Sequence, residues 1–146
     1  MKKRIDRSYF SAESVLFVGY SSRNIAFCKT VREAFERAGT RVLPVNPSGN
    51  IAGEPVFPSI EAASAEGASG SVDFAVVLTK KDRNLAVADE LAKAGVKRVA
   101  FANSMCADRA VLDKCEELGL EAVVACPLMA LGGGLHRFHG FLAGVR

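Results

Sequence analysis

No uninterrupted apolar run in these 146 residues approaches the ~20 needed to cross a bilayer as a helix, so no membrane-spanning segment is expected. A basic start, Met1-Lys2-Lys3-Arg4, is followed by Asp6, Arg7 and Ser8 where a signal peptide would carry its apolar stretch. A cytoplasmic location is the expectation. The four cysteines (Cys28, Cys106, Cys115, Cys126) lack C-x-x-C or zinc-like spacing, which reads as free thiols in a reducing compartment. Histidine is scarce: His136 and His139 stand in a glycine-rich tail as H-x-x-H with no third ligand, so no metal is expected. Formal charge is only +3, and aromatic residues do not interleave with basic ones, which argues against nucleic acid.

What is present describes an ordinary core-forming domain. Hydrophobic residues make up 49% and charged residues 24% of the chain. Three segments repeat one pattern, a helical stripe closed by glycine and followed closely by a strand: Ala38-Gly39, Ala94-Gly95 and Leu118-Gly119. Phe27, Val31, Ala34, Phe35 and Ala38 share one helix face, as do Leu85, Ala88, Leu91, Ala92 and Gly95. Asp82 and Asp108 are the expected N-caps of the second and third helices. Strands are expected at 15–18, 41–45, 72–78, 98–102 and 121–125, mostly as continuous apolar runs suited to a sheet covered on both faces. Residues 47–71 are rich in Gly, Ala, Ser and Pro, with one short helix expected over 59–65.

The fold class is therefore α/β: a three-layer, Rossmann-like domain with a mostly parallel five-stranded sheet. The crossover through 47–71 would place a topological switch point beside Gly19. The expected division is a domain over 1–130 and a glycine-rich tail over 131–146, the tail free to dock on the domain or on a neighbouring subunit.

Within that frame one junction carries functional information: Val15-Leu16-Phe17-Val18-Gly19-Tyr20-Ser21-Ser22-Arg23-Asn24. An apolar strand ending in glycine, then small polar residues and a helix start, is how such sheets build an anion site from unpaired amides and a helix dipole. It is not a dinucleotide fingerprint, because Ser21 and Asn24 stand where further glycines would be needed. No Walker lysine follows. The second strand ends in Asn46 where an acidic partner for a ribose would be expected.

Gly19-Tyr20-Ser21-Ser22-Arg23, Pro44-Val45-Asn46-Pro47, Ile51-Ala52-Gly53, Phe57-Pro58-Ser59-Ile60 and Val72-Asp73 follow one another in an order that resembles the small stand-alone CoA-binding proteins. These are similar to the CoA-binding domain of the succinyl-CoA synthetase alpha subunit, and the likeness runs over about 14–129. The resemblance implies CoA or an acyl-CoA as ligand. It places the diphosphate in the loop of Gly19, Tyr20, Ser21, Ser22, Arg23 and Asn24, and the adenosine end beside Val45, Asn46 and Pro47. Thr79 and Lys80 would line the opposite wall, with Asn103 and Ser104 nearer the pantetheine. Lys29, Lys80 and Lys81 are candidate phosphate partners.

The chain departs from the family pattern at several points. Tyr20 replaces a small residue, either stacking on the ligand or crowding the cleft. Ile25-Ala26-Phe27 replaces a more polar helix start, Asn103 a frequent glycine, and Val124-Ala125-Cys126 an aspartate-arginine-cysteine run.

No catalytic residue is assigned: no serine sits in a nucleophile elbow, and Cys28 and Cys126 read first as core thiols. The implied function is a CoA-binding module, either alone, as a homodimer or as a partner subunit. The alternative is an NAD(P)- or other nucleotide-binding enzyme or subunit on the same fold.

Overall fold

The computed structural model describes residues 7–67 and 72–131. The expected tail, with His136 and His139, lies outside the described residues except for Leu131 at its start.

Side chains alternate across the central strand β1 (Ser14–Val18): Val15 and Phe17 face one layer, Leu16 and Val18 the other. Both faces are buried, which is why the strand reads as an unbroken apolar run. Its neighbours are β2 (Arg41–Val45) on one side and β5 (Phe74–Val77) on the other. Then come β6 (Arg98–Phe101) and β7 (Glu121–Val124), giving the order β2-β1-β5-β6-β7 with every pairing parallel. The chain leaves β1 toward β2 and returns across it to β5. The switch point thus lies at the carboxyl end of β1, where Gly19 stands.

Helices cover both faces. Against Val15, Phe17, Phe74 and Val76 pack α1 (Ile25–Arg37), α5 (Pro127–Leu131) and the N-terminal 3-10 turn (Arg7–Phe10). Against Leu16, Val18, Val77 and Phe101 pack α2 (Ile60–Ser64), α3 (Lys81–Lys93) and α4 (Arg109–Glu117). Phe10, Phe17, Phe35, Phe74 and Phe101 are fully buried, each stabilising the fold by about 1.5–3 kcal/mol relative to exposure. Gly39, Gly95 and Gly119 close α1, α3 and α4 with φ of 85°, 89° and 76°, as the repeated helix exits predicted.

Several expectations need correction. Asp82 does not cap α3: Lys80 is the N-cap residue, without a side-chain cap bond, and Asp82 lies in the first turn. The Lys81 amide is satisfied instead by the carbonyl of Met105 at 3.1 Å. Leu85 is 44% exposed; the buried stripe of α3 runs through Asn84, Ala88 and Leu91. Asn84 tolerates full burial because its amide donates to the carbonyls of Thr79 and Cys106 at 2.7 and 2.6 Å. By contrast, Asp108 caps α4 as expected, accepting from Val111 N at 3.0 Å. Ser59 likewise caps α2.

The loose stretch after Pro47 also contains an element the sequence reading lacked, an antiparallel hairpin of β3 (Asn50–Ile51) and β4 (Glu54–Pro55). Its turn residues Ala52 and Gly53 have φ of 51° and 80°, the positive values that tight two-residue hairpins require.

Candidate functional site

Gly19 brings two loops into contact. Its φ is +90°, and a β-carbon there would lie 2.9 Å from Thr79 N and 3.1 Å from Thr79 Cγ2. Only glycine permits both the backbone angle and the approach. The loop after β1 thereby meets the loop after β5, and Ser21, Ser22, Arg23, Thr79 and Lys80 share one end of the sheet. The Gly19 amide donates to the Val45 carbonyl at 3.3 Å, which brings the end of β2 to the same place.

Within the first loop, Ser21 starts a 3-10 turn (Ser22–Asn24), its hydroxyl accepting from Arg23 N at 3.2 Å. Ser22, Arg23 and Asn24 are exposed. The turn runs into α1, whose N-cap Asn24 makes no side-chain cap bond and whose first turn holds no acidic residue. The positive end of that helix dipole therefore meets no compensating carboxylate in its own first turn. Lys80 is also exposed, at the N-terminus of α3.

Other expected site residues have structural roles. Asn46 donates Nδ2 to the Tyr20 carbonyl at 2.9 Å and accepts from Ser48 N at 2.9 Å. It ties the end of β2 to the first loop, leaving Pro47 exposed and Val45 buried. Asn103 accepts from Met105 N at 2.9 Å, shaping the turn after β6 beside exposed Ser104.

Tyr20 cannot stack on a ligand: its ring is fully buried, edge-on to Phe17 at 5.4 Å. Its hydroxyl donates to Glu54 Oε2 at 2.7 Å. Burial, with that acceptor, pushes the Tyr20 phenol up to about 12. Any contact with a ligand falls to its backbone. Lys29, expected on a phosphate, lies 3.6 Å from Glu54 Oε1, and Arg32 lies 3.6 Å from the other carboxylate oxygen. The Tyr20 hydrogen bond and these cations hold the Glu54 carboxyl below the usual glutamate range.

Sequence reading missed Glu54 and Arg32, because no spacing rule links a two-residue hairpin to the second turn of α1.

Cys28, Cys106 and Cys115 are buried with thiols pushed up by desolvation, and Cys126 is half-buried; none forms a disulfide. Among the described residues no cluster of metal-ligating side chains occurs, and no helix is long and apolar enough to cross a membrane. A shallow depression of about 420 Å³ lies on the outer side of β2, between Val42, Leu43, Pro44, Pro55, Val56 and Phe57. None of the expected site residues lines it. What distinguishes the surroundings of Gly19 is the meeting of two loops that lead into α1 and α3.

A fully parallel five-stranded sheet with helices on both faces and its switch point at the end of β1 is a Rossmann-like α/β fold. A family model of the CoA binding domain matches residues 13–132, and the chain belongs to that family. Among solved structures it is similar to a conserved hypothetical protein from Pyrococcus furiosus, with 25% identity, TM-score 0.61, and 76% of this chain and 91% of that one covered. A hypothetical protein from Pyrococcus horikoshii shares the fold at 21% identity and TM-score 0.69, with 84% of each chain covered. So does a dinucleotide-forming acetyl-coenzyme A synthetase from Ca. Korarchaeum cryptofilum, at 20% identity and TM-score 0.61. That match takes in 82% of this chain but 27% of the synthetase. No curated protein matches significantly.

Proposed function

We propose that this chain binds CoA or an acyl-CoA at the carboxyl end of β1 and is a binding module or partner subunit without chemistry of its own. The observation that supports the reading is the Gly19–Thr79 approach, which brings the loops before α1 and α3, with exposed Arg23 and Lys80, to one end of the sheet. In this arrangement the amides after Gly19 and the Arg23 guanidinium take the diphosphate. Lys80 faces the same charge from the second loop. Val45 and Pro47 border the adenosine, and the turn at Asn103 lies toward the pantetheine. Lys29 is already paired with Glu54 and contributes less.

The reading is supported by membership in the CoA-binding domain family over residues 13–132. A ligand that binds only the folded state raises its stability by RT ln(1 + [L]/Kd), about 2.7 kcal/mol at a hundredfold excess over Kd. Thermal melts with CoA, acetyl-CoA and NAD test it. A rise of several degrees with CoA and a smaller one with NAD is the expected result. A larger rise with NAD would move the chain to the dinucleotide-binding alternative.

A further inference from the structure

We infer that the β3–β4 hairpin sets the shape of the first loop through one contact, Tyr20 Oη to Glu54 Oε2, making both residues positioning residues for the ligand. The inference rests on the CoA reading above for its ligand, but its structural basis is independent of it. Tyr20 follows Gly19 directly, so its backbone is part of that loop, while its side chain is anchored elsewhere. The ring sits edge-on to Phe17 at 5.4 Å, the carbonyl accepts from Asn46 at 2.9 Å, and the hydroxyl donates to Glu54 at 2.7 Å. The same hydroxyl also meets the Arg32 side chain of α1, so ring, carbonyl and hydroxyl are each held.

Glu54 is positioned in turn by cations of α1, Lys29 and Arg32, each at 3.6 Å. One carboxylate therefore joins the hairpin, the first helix and the residue after Gly19. The hairpin ladder pairs Asn50 with Pro55 and Ile51 with Glu54, extended by Val56 N donating to the Gly49 carbonyl at 3.3 Å. A ladder that short is marginal alone, so its placement depends on such tertiary contacts. Loosening the hairpin loosens Tyr20, and a loop competent for only a fraction of the time binds weaker by that fraction.

The test uses the full chain and two readouts. In calorimetric titrations with CoA, Tyr20→Phe and Glu54→Ala should each weaken binding by about three- to tenfold, and the double variant no more than either single one. Glu54→Gln keeps an acceptor for the hydroxyl and should stay within about twofold of the parent. Additive losses, unchanged affinity in both single variants, or tighter binding by Glu54→Ala would overturn the inference. The last result would make the carboxylate a competitor of the ligand for Lys29. Amide hydrogen exchange on the unliganded chain supplies the second readout. Tyr20→Phe should speed exchange at residues 19–23 while leaving β5 and β6 protected. Unaltered exchange there overturns the inference even if CoA does not bind, and absence of CoA binding by the parent chain overturns the ligand reading alone.

Discussion

Asn46 Nδ2 donates to the carbonyl of Tyr20 at 2.9 Å, linking the end of β2 to the loop that leaves β1. The opposite end of the same amide accepts from Ser48 N at 2.9 Å. Asn46 is thus a brace between two loops, and its side chain is already committed on both sides. Asn46→Ala should cost about 1–3 kcal/mol in denaturant unfolding, because a backbone carbonyl and an amide lose their partner together. Asn46→Asp should cost at least as much, since it sets a carboxylate oxygen against a carbonyl. A midpoint unchanged in both variants would remove the brace.

Gly19 and Gly39 make a matched pair for separating strain from contact. Both have positive φ, +90° and +85°, but a β-carbon at Gly39 meets nothing within 4 Å, whereas at Gly19 it meets Thr79 N at 2.9 Å. Gly39→Ala should carry the left-handed penalty of about 1–2 kcal/mol. Gly19→Ala should cost clearly more and also weaken CoA binding. Equal losses would mean that the approach to Thr79 is soft.

Arg23 is exposed and forms no ion pair among the described residues, so its removal should barely move unliganded stability. Arg23→Ala should weaken CoA binding about tenfold, as expected for a charged hydrogen bond to phosphate, with a melting temperature within about a degree of the parent. Unchanged affinity would move the phosphates elsewhere.

The two tyrosines give a pH prediction. Burial pushes Tyr20 up to about 12, and Tyr9, whose hydroxyl donates to the carbonyls of Val99 and Glu121, higher still. A raised folded value means the neutral phenol is favoured by the fold. The associated stability is complete below the ordinary tyrosine value of about 10 and is lost as pH rises through the folded values. Phenolate absorbance should therefore be absent at pH 10 in the native protein and develop near 12, with Tyr9→Phe isolating the Tyr20 step. Half-ionised tyrosine at pH 10 would contradict the upward shift of both phenols.

Much of this fold was legible because its signals are local or periodic. Continuous apolar runs mark β1 and β5, helix-closing glycines mark the starts of β2, β6 and β7, and Asp108 shows its cap by position alone. Asp82 misled because the Met105 carbonyl, brought in by the turn after β6, satisfies the Lys81 amide. Leu85 misled because the buried place on α3 goes to Asn84, which the sequence alone could not show to be hydrogen-bonded. At the candidate site the motif accounts for Gly19 by its backbone freedom, and the structure adds that it admits Thr79. The motif points Tyr20 and Lys29 toward a ligand, while their tie to Glu54 depends on a short hairpin that leaves almost no pattern.

The most direct measurement is a calorimetric titration of the full chain with CoA, repeated in the presence of NAD. Saturable binding at one site per chain, weakened by Arg23→Ala and little affected by NAD, is the predicted result. No heat and no melting shift at millimolar CoA, or displacement of CoA by NAD at lower concentration, would contradict it.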